Sequence, residues 1–345
     1  MDVGQADAIL ILSPDGRGVL IDGGDRDSGI VDYLRSQGVS SLDVMVATHP
    51  HADHISGLVD VLRSLSVAGV VTNGAEHTTL TYERFLDAII AAGAPYSEVR
   101  RGDTLEVGLL KFDVLHPSGL TGDLNNDSIV LRLVYGDIVF LFTGDAEGEA
   151  ERSLVASGQK LDSTVLKVGH HGSRSSTTSP FLEQVSPEVA VYSCATDNSY
   201  GHPHVDTLTA LADVGADVYG TDVNGTVVIT TGGTGYSVSV GREGQPSAPL
   251  PAATATPIPA DTPVPTDAPA PTATTEPDRN YIGDGVWNCP TSMDGAAYTG
   301  SRKSDKFHYL GCHYVDRIYA ENRICFASRS AAVNYGYVPC GVCKP

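Results

Sequence analysis

The sequence reads THPHADHISG from Thr48 to Gly57, and this stretch decides the fold class and the chemistry that we expect. The apolar run at residues 44–47 indicates a buried strand before it, and apolar residues at helical spacing follow at residues 55–65. The stretch therefore predicts a strand-to-helix loop carrying four potential metal ligands: His49, His51, Asp53 and His54. We predict two metal ions, with the first two histidines on one and the Asp53–His54 pair on the other. The alternative interpretation is a solvated loop that is rich in histidine.

The motif HPHADH at residues 49–54 resembles the signature of the metallo-β-lactamase superfamily. Two further stretches, DVGQADAIL at residues 2–10 and GHHGS at residues 169–173, resemble the hydrolase domain of the DNA-uptake channel protein ComEC and its free-standing relatives. The resemblance extends over about residues 1–240. It implies a mixed α/β fold, an αββα sandwich with a binuclear metal site at one edge of two packed sheets.

The same resemblance implies roles for later residues. Asp145, which follows an apolar strand, would bridge the two metals. One histidine of the pair at residues 170–171 would complete the second metal while the other faces the substrate, and we favour His171 as the ligand. His202 would contact the substrate or transfer a proton to the leaving group. The predicted catalytic residues are Asp53, His170 and His202.

Several residues are expected to support this site. Asp22 would orient a ligand, although an aspartate that begins a glycine turn is an equally good interpretation. Asn125 and Asn126 stand where many members carry a third histidine, and because an amide oxygen is a weak ligand we expect Mn²⁺ to serve better than Zn²⁺. Ser173, with Arg174 beside it, could hydrogen-bond a phosphate oxygen. Two isolated histidines are expected in a loop and at a strand end, namely His77 and His116.

The chain has 345 residues and a formal net charge of −20. Most of the excess acid lies in residues 1–245, which disfavours tight nonspecific binding of nucleic acid by that part of the chain. Residues 246–278 hold half of the 20 prolines among Ala and Thr, which predicts an extended linker. The predicted domains are therefore a hydrolase domain at residues 1–245 and a small module at residues 279–345.

Thr/Pro spacers are typical of exported proteins, so we expect a secreted or cell-surface location, with the cytoplasm as the alternative. A signal peptide is not visible, and the apolar runs fall short of the ~20 residues that span a bilayer. The DVGQADAIL motif begins directly after Met1. We therefore expect a further strand ahead of it, and a signal segment there is a second hypothesis.

The region after the linker holds five of the six cysteines. Because it is too short to fold on apolar burial alone, the sequence predicts one structural zinc, held by His308, Cys312, Cys340 and Cys343. Residues 321–345 resemble the metal-binding domain of the Ada DNA-repair protein, with a core at residues 300–345. His308 stands where Ada carries its methyl-accepting cysteine, which argues against DNA demethylation. Cys325 is expected to be a small buried side chain, or to pair with Cys289 in an exported protein, and disulfides in place of zinc are the alternative for the whole region.

These features predict a metal-dependent hydrolase, namely a phosphodiesterase or deoxyribonuclease that uses a two-metal-activated hydroxide. DNA is the favoured substrate. Phosphorylcholine esters of the cell surface and small cyclic diesters are alternatives on the same scaffold. An alternative of another class is a degenerate hydrolase domain that serves as a binding module, which would not retain two metal equivalents.

Overall fold

The structure is a computed structural model that describes residues 1–244, 280–283, 286–289, 296–301, 306–310, 315, 318, 322–335 and 337–339. The chain divides into two compact units, one up to residue 257 and the other from residue 258. The predicted linker at residues 246–278 lies outside the described residues. Strands and helices are numbered in chain order.

Residues 1–244 contain a first sheet with this spatial order of strands: β1 (Ala8–Leu12), β2 (Gly18–Gly23), β4 (Val44–Ala47), β6 (Val70–Thr72) and β7 (Tyr96–Glu98). The first two strands form an antiparallel hairpin, and the others continue in parallel. The crossovers between the parallel strands carry three helices: α1 (Ile30–Ser36), α2 (Ala52–Ser64) and α3 (Leu80–Ala92). Two short strands, β3 (Ser41–Leu42) and β5 (Ser66–Val67), form a separate parallel pair, and they precede β4 and β6 in the chain.

A second sheet within residues 1–244 has this order: β14 (Asp217–Gly220), β13 (Val189–Tyr192), β12 (Val165–Lys167), β11 (Ile138–Phe142), β10 (Val130–Tyr135), β9 (Leu110–His116) and β8 (Thr104–Val107). The last four of these form an antiparallel meander, and the pairs from β11 to β14 are parallel. The remaining elements are α4 (Gly148–Ala156), a 3₁₀ turn (Gly169–Gly172), α5 (Ser179–Val185), α6 (Val205–Asp213), α7 (Thr221–Asn224) and the hairpin of β15 (Val227–Thr231) with β16 (Tyr236–Val240).

Three groups of buried apolar side chains separate four layers. In β2, Leu20 packs towards α1–α3 while its neighbour Ile21 packs between the two sheets, and Met45 and Val46 of β4 alternate in the same way. A third group lies between the second sheet and α4–α6. The layers therefore follow the order helix, sheet, sheet, helix, the mixed α/β architecture that the sequence predicted.

The strand ends at one edge of the two sheets carry the polar motifs. The loop after β4 contains the HPHADH motif, the loop after β11 contains Asp145, and the 3₁₀ turn after β12 contains the histidine pair. Because these strands are buried and paired on both sides, they form a rigid support for the loops. Distant parts of the sequence are in this way brought to one place.

Helix α2 lies directly against the end of β2, at a crossing that two glycines permit. A Cβ atom built on Gly57 would overlap the carbonyl oxygen of Gly23, and a Cβ on Gly23 would lie 2.6 Å from the backbone nitrogen of Leu58. Close backbone contact of this kind requires residues without a side chain. The crossing sets the position of the first turn of α2, which carries Asp53 and His54.

We therefore expect Gly57→Ala to destabilise the fold by about 1–3 kcal/mol or more, because backbone rather than a flexible side chain must move. Chemical denaturation monitored by circular dichroism would measure this. Gly69→Ala is the matched control, since a Cβ atom there has 3.7 Å to its nearest neighbour. Equal unfolding midpoints for the two variants would contradict the proposed crossing.

The second unit contains, in its described residues, a sheet with the order β17 (Asn280–Gly283), β18 (Val286–Asn288), β21 (Arg323–Phe326), β19 (Tyr298–Ser301), β20 (Lys306–Tyr309) and β22 (Val338–Pro339). Helix α8 (Arg329–Asn334) follows β21, and its first residues are capped by Ser328, whose hydroxyl accepts the Ala331 N–H. A small aromatic core includes Phe307 and Phe326, with ring centroids 6.3 Å apart.

Cys289 and Cys325 form a disulfide in this unit. Cys325 is fully buried, as predicted, and its pairing with Cys289 is the alternative that the sequence analysis gave to a free apolar side chain. Of the predicted zinc ligands, His308 is buried on β20, whereas Cys312, Cys340 and Cys343 lie outside the described residues. The zinc site and the likeness to the Ada domain stay predictions.

Among the helices of the described ranges, none is both long enough and apolar enough to cross a bilayer.

Candidate metal centre

The loop between β4 and α2 places His49 and His51 side by side. Their Nε2 and Nδ1 atoms lie 2.9 Å apart, and His49 is fully buried. The Oδ2 atom of Asp145 approaches His49 Nε2 to 3.9 Å. Two imidazole nitrogens and a carboxylate oxygen thus share one small space, the ligand types that suit Zn²⁺, Mn²⁺ or Fe²⁺.

A second group of ligand atoms lies next to the first. Nε2 of His54 is 3.2 Å and Nε2 of His171 is 3.5 Å from Oδ2 of Asp145. Oδ2 of Asp53 is 3.9 Å from the first of these nitrogens and 3.3 Å from the second. These four residues can hold one cation, and Asp145 reaches both groups.

The ring orientation of three histidines is fixed by acceptors on their far side. Nδ1 of His54 lies 2.8 Å from Oδ2 of Asp22, and Nδ1 of His171 lies 2.9 Å from the carbonyl oxygen of Ser193. The hydroxyl of Thr48 donates to Asp22 and so accepts from Nδ1 of His49 at 3.2 Å. In each case the proton belongs on Nδ1 and the lone pair of Nε2 points into the cluster, the tautomer that a metal ligand needs.

The residues fit a cation for a second reason. Nε2 of His54, Nε2 of His171 and Oδ1 of Asp145 are buried and lack a hydrogen-bond partner among the described residues. Buried polar atoms without partners are costly in a folded protein unless something else satisfies them. Divalent metal ions would supply that partner.

The electrostatics of the cluster favour positive charge. Burial lowers the pKa of His54, but the carboxylates of Asp145, Asp22 and Asp53 outweigh burial and raise this pKa well above its usual range. His171 behaves in the same way, with burial opposed chiefly by Asp145. In the metal-free protein His54 and His171 therefore bind protons where a metal ion would otherwise lie, because the carboxylates that attract a proton also attract a metal ion.

Asp7 supports His171 and was missed by the sequence analysis. Its Oδ1 atom lies 3.4 Å from Nδ1 of His171, and its Oδ2 atom lies 2.6 Å from Nζ of Lys167, with all three side chains buried. Burial raises the pKa of Asp7, but Lys167 and His171 outweigh it and lower the pKa to about 2. Asp7 lies in the DVGQADAIL motif, which was quoted as a whole without a role for this carboxylate.

His170 lies at the rim rather than in the group of four. Its Nδ1 atom is 2.8 Å from Oε1 of Glu147, and its Nε2 atom remains 3.9 Å from Oδ2 of Asp145. The side chain of His170 is 24% exposed, whereas that of His171 is 2% exposed. Both histidines have left-handed backbone, with φ of 45° and 54°, a strained conformation for residues other than glycine that often marks functional sites.

His202 follows on a separate loop, beside both histidines of the turn. Its ring centroid lies 5.7 Å from that of His170 and 6.3 Å from that of His171, and Tyr200 stacks on it at 5.6 Å. Burial and the neighbouring imidazoles lower the pKa of His202 to about 3, so the ring is neutral near pH 7. Its Nδ1 atom contacts Nε2 of Gln5 at 3.2 Å.

The other predicted supporting residues are engaged within the protein. Asn126 is buried, and its Oδ1 accepts the N–H of Ala150, whereas Nδ2 of Asn125 donates to Glu147. Oδ1 of Asn125 is buried without a partner among the described residues. Ser173 is buried and its hydroxyl pairs with Ser175 at 2.9 Å. The two isolated histidines lie where predicted: His77, 5.7 Å from the ring of His51, in the loop before α3, and His116 at the end of β9.

Comparison with known proteins identifies relatives of the first unit. The family model described as the metallo-beta-lactamase superfamily matches residues 1–196. ComE operon protein 3 of Bacillus subtilis (strain 168) is 32% identical over 247 residues, which cover 66% of this chain and 32% of that protein. Competence protein ComA of Neisseria gonorrhoeae is 33% identical over 233 residues, which cover 65% of this chain and 30% of that protein. The chain thus spans about a third of the length of these curated relatives.

Among solved structures, the metallo-beta-lactamase fold protein YhfI from Bacillus subtilis is similar, with 14% identity and a TM-score of 0.44. The match covers 63% of this chain and 88% of that chain.

Proposed function

From the chain's membership of the metallo-β-lactamase superfamily, most of whose members are hydrolases, we propose that this protein is a two-metal phosphodiesterase that cleaves DNA. The observation that carries the proposal is the convergence of Asp53, His54, Asp145 and His171 on one buried point, next to the pair formed by the other two histidines of the motif. A single metal with a closed ligand set would serve structure alone. Two adjacent groups that share a carboxylate suit hydrolysis.

We assign His49 and His51 to one metal and Asp53, His54 and His171 to the other, with Asp145 shared. Metal ions bound there would polarise a phosphoryl oxygen and lower the pKa of a water molecule. Asp22, Asp7 and the carbonyl of Ser193 hold the ligand rings in place, so little reorganisation is needed when substrate binds.

The rim residues would bind the substrate. His170 is held by Glu147 with its other nitrogen towards the cluster, and it is partly exposed, so it can contact a phosphate oxygen. His202 stands beside it and would contact the leaving group or a second oxygen. The net charge of −20 means that attraction to phosphate must come from the metals and these histidines rather than from the surface.

DNA is proposed as the substrate because the relative from Neisseria gonorrhoeae is named a competence protein, and a further relative from Haemophilus influenzae, 31% identical over 235 residues, is named Recombination protein 2. The phosphorylcholine-ester and small-diester alternatives would use the same cluster with a different rim. If the domain is instead a binding module without activity, the cluster should not retain two metal equivalents.

One experiment separates these functions. The full chain is stripped with a chelator, reloaded with Mn²⁺ or Zn²⁺, and assayed in parallel on single-stranded DNA, duplex DNA and p-nitrophenylphosphorylcholine. We expect DNA cleavage that is faster with Mn²⁺, because Asn125 and Asn126 stand where many members of the superfamily carry a third histidine, and we expect two equivalents of Mn²⁺. The Mn²⁺ content reports on the histidine–carboxylate cluster, since thiolates prefer zinc.

Three other results would each contradict part of the proposal. If only the phosphorylcholine ester is hydrolysed, DNA is not the substrate. If activity is clearly higher with Zn²⁺ than with Mn²⁺, the proposed metal is wrong. Absence of hydrolysis together with fewer than two equivalents of Mn²⁺ would indicate a binding module.

A further inference from the structure

The loop at residues 4–7 is hydrogen-bonded to two segments that carry or support the second group of ligands. The backbone N–H of Asp7 donates to the carbonyl of Asp53 at the start of α2, and the hydroxyl of Ser193 after β13 donates to the carbonyl of Ala6 at 2.6 Å. Directly before these two contacts in the chain, the side chain of Gln5 reaches the loop that carries His202. The loop at residues 4–7 is therefore fixed relative to the cluster, and so is the side chain of Gln5.

We propose that Gln5 is a positioning residue that holds His202 as the tautomer with its proton on Nε2, so that His202 offers an N–H donor to the substrate. The part that concerns the substrate rests on the proposed phosphodiesterase function. The part that concerns the proton rests on contacts within the protein alone.

The orientation of the Gln5 amide follows from its partner on the other side. Its Oε1 atom accepts the backbone N–H of Ala195 at 3.2 Å. A backbone N–H can only donate, so the amide oxygen must lie on that side and the NH₂ group must face His202. The contact of 3.2 Å between Nε2 of Gln5 and Nδ1 of His202 is thereby assigned a direction.

The direction decides where the imidazole proton lies. Because an amide nitrogen donates and does not accept, Nδ1 of His202 must accept and carries no proton. In a neutral imidazole the proton is then on Nε2, at the opposite edge of the ring. Three of the four ligand histidines, namely His49, His54 and His171, have the reverse arrangement, with the proton on Nδ1. His202 is thus suited to donate a hydrogen bond rather than to bind a metal.

The backbone of His202 is anchored without Gln5. The Asn198 side chain accepts the His202 N–H at 2.9 Å and donates to its carbonyl at 2.6 Å, and the buried thiol of Cys194 lies 3.5 Å from the same carbonyl. A change at position 5 should therefore alter the ring's proton while leaving the loop in place. This separation makes the proposal testable.

The test begins with the position of the proton. The full chain is labelled with ¹⁵N-histidine and loaded with Zn²⁺ in place of Mn²⁺, because Mn²⁺ is paramagnetic and would broaden the signals. Two-bond ¹H–¹⁵N spectra then distinguish the two tautomers, and comparison with His202→Gln assigns the signals of His202. We expect a proton on Nε2 of His202 and none on Nδ1. In Gln5→Glu the carboxylate accepts where the amide donated, so the proton should move to Nδ1 and leave Nε2 bare.

The second measurement is kinetic. With bis(p-nitrophenyl) phosphate as the probe and Mn²⁺ as the metal, Gln5→Glu should lower kcat/KM about 100-fold, the usual effect of losing one well-placed donor. Metal content and thermal unfolding should stay those of the parent protein. Gln37→Glu is the matched control, because it adds the same charge at an exposed position at the end of α1.

A parent spectrum with the proton on Nδ1, or a Gln5→Glu spectrum in which Nε2 keeps its proton, would overturn the assignment to Gln5. A moved proton with unchanged kcat/KM would overturn the substrate contact. If the parent protein does not hydrolyse phosphodiesters, the proposed function fails, but the spectra still decide the tautomer.

Discussion

Asp145→Ala is expected to abolish hydrolysis, with kcat reduced about 1,000-fold or more, because this carboxylate reaches both groups of ligand atoms. Its Oδ2 atom lies 3.2 Å from His54, 3.5 Å from His171 and 3.9 Å from His49. A loss of that size corresponds to about 4 kcal/mol of transition-state stabilisation. Removal of a ligand shared by two metals should lower the Mn²⁺ content from two equivalents towards zero.

Asp53→Ala separates the two groups. Asp53 lies 3.3 Å from His171 and 3.9 Å from His54, and its side chain is 35% exposed at the edge of the second group. This variant should also lose hydrolysis, but it should keep about one equivalent of Mn²⁺ on the His49 side. The comparison therefore tests which ligands belong together, which activity alone does not reveal.

The matched control for both variants is Asp87→Ala, which removes an exposed carboxylate from α3, away from the cluster. Metal content by elemental analysis and kcat with a phosphodiester probe are the measurements. Full activity and two equivalents of Mn²⁺ in Asp145→Ala would rule out the two-metal mechanism. Equal metal loss in the two aspartate variants would mean that the ions bind only as a pair.

The sequence was informative where the ligands are close in the chain. Four potential ligands within six residues, after an apolar run and before a helical pattern, predict a loop that holds metal. Asp145 and His171 each follow a short apolar strand, which placed them at strand ends, but the ligand role of the histidine pair came from the family resemblance and the choice of His171 over His170 was only a preference. The four-layer architecture was implied by the resemblance to the metallo-β-lactamase superfamily, whereas the residues themselves indicated only a mixed α/β chain.

Residues that act through tertiary contacts were not predictable. Asp7 meets Lys167 only because the loop before β1 packs against the end of β12, and no spacing in the sequence indicates that contact. His170 contacts Glu147 from the 3₁₀ turn after β12, in which His170 and His171 both have left-handed backbone. Sequence propensity disfavours that conformation for residues other than glycine.

The disulfide was predicted only as an alternative, in which Cys325 pairs with Cys289 if the protein is exported. Cys289 and Cys325 are 36 residues apart, and several pairings of the cysteines in this region were conceivable. The pairing depends on β18 lying beside β21 in the sheet. Strand adjacency of that kind is a property of the folded chain.

The second large effect concerns Asp22, whose buried carboxylate accepts three hydrogen bonds. Oδ1 accepts the backbone N–H of Thr48, and Oδ2 accepts the Thr48 hydroxyl and Nδ1–H of His54, each at 2.8 Å. Asp22→Ala would leave three buried donors unpaired at about 1–3 kcal/mol each. We expect the metal-free protein to lose about 3–9 kcal/mol of unfolding free energy, a large part of the total for a typical domain.

Asp22→Asn distinguishes stability from metal binding. The Thr48 N–H can only donate, so it fixes the amide oxygen in the Oδ1 position and places the NH₂ group against Nδ1 of His54. The histidine must then accept through Nδ1 and carry its proton on Nε2, the atom that faces Asp145. Because the Thr48 hydroxyl can turn and accept, this variant should lose little stability, yet it should bind Mn²⁺ about 10- to 100-fold more weakly.

Denaturant unfolding of the metal-free variants and Mn²⁺ titration of the folded ones measure the two effects separately. A destabilised Asp22→Asn with unchanged Mn²⁺ affinity would mean that Asp22 acts as a structural residue and leaves the ligand's tautomer unaffected.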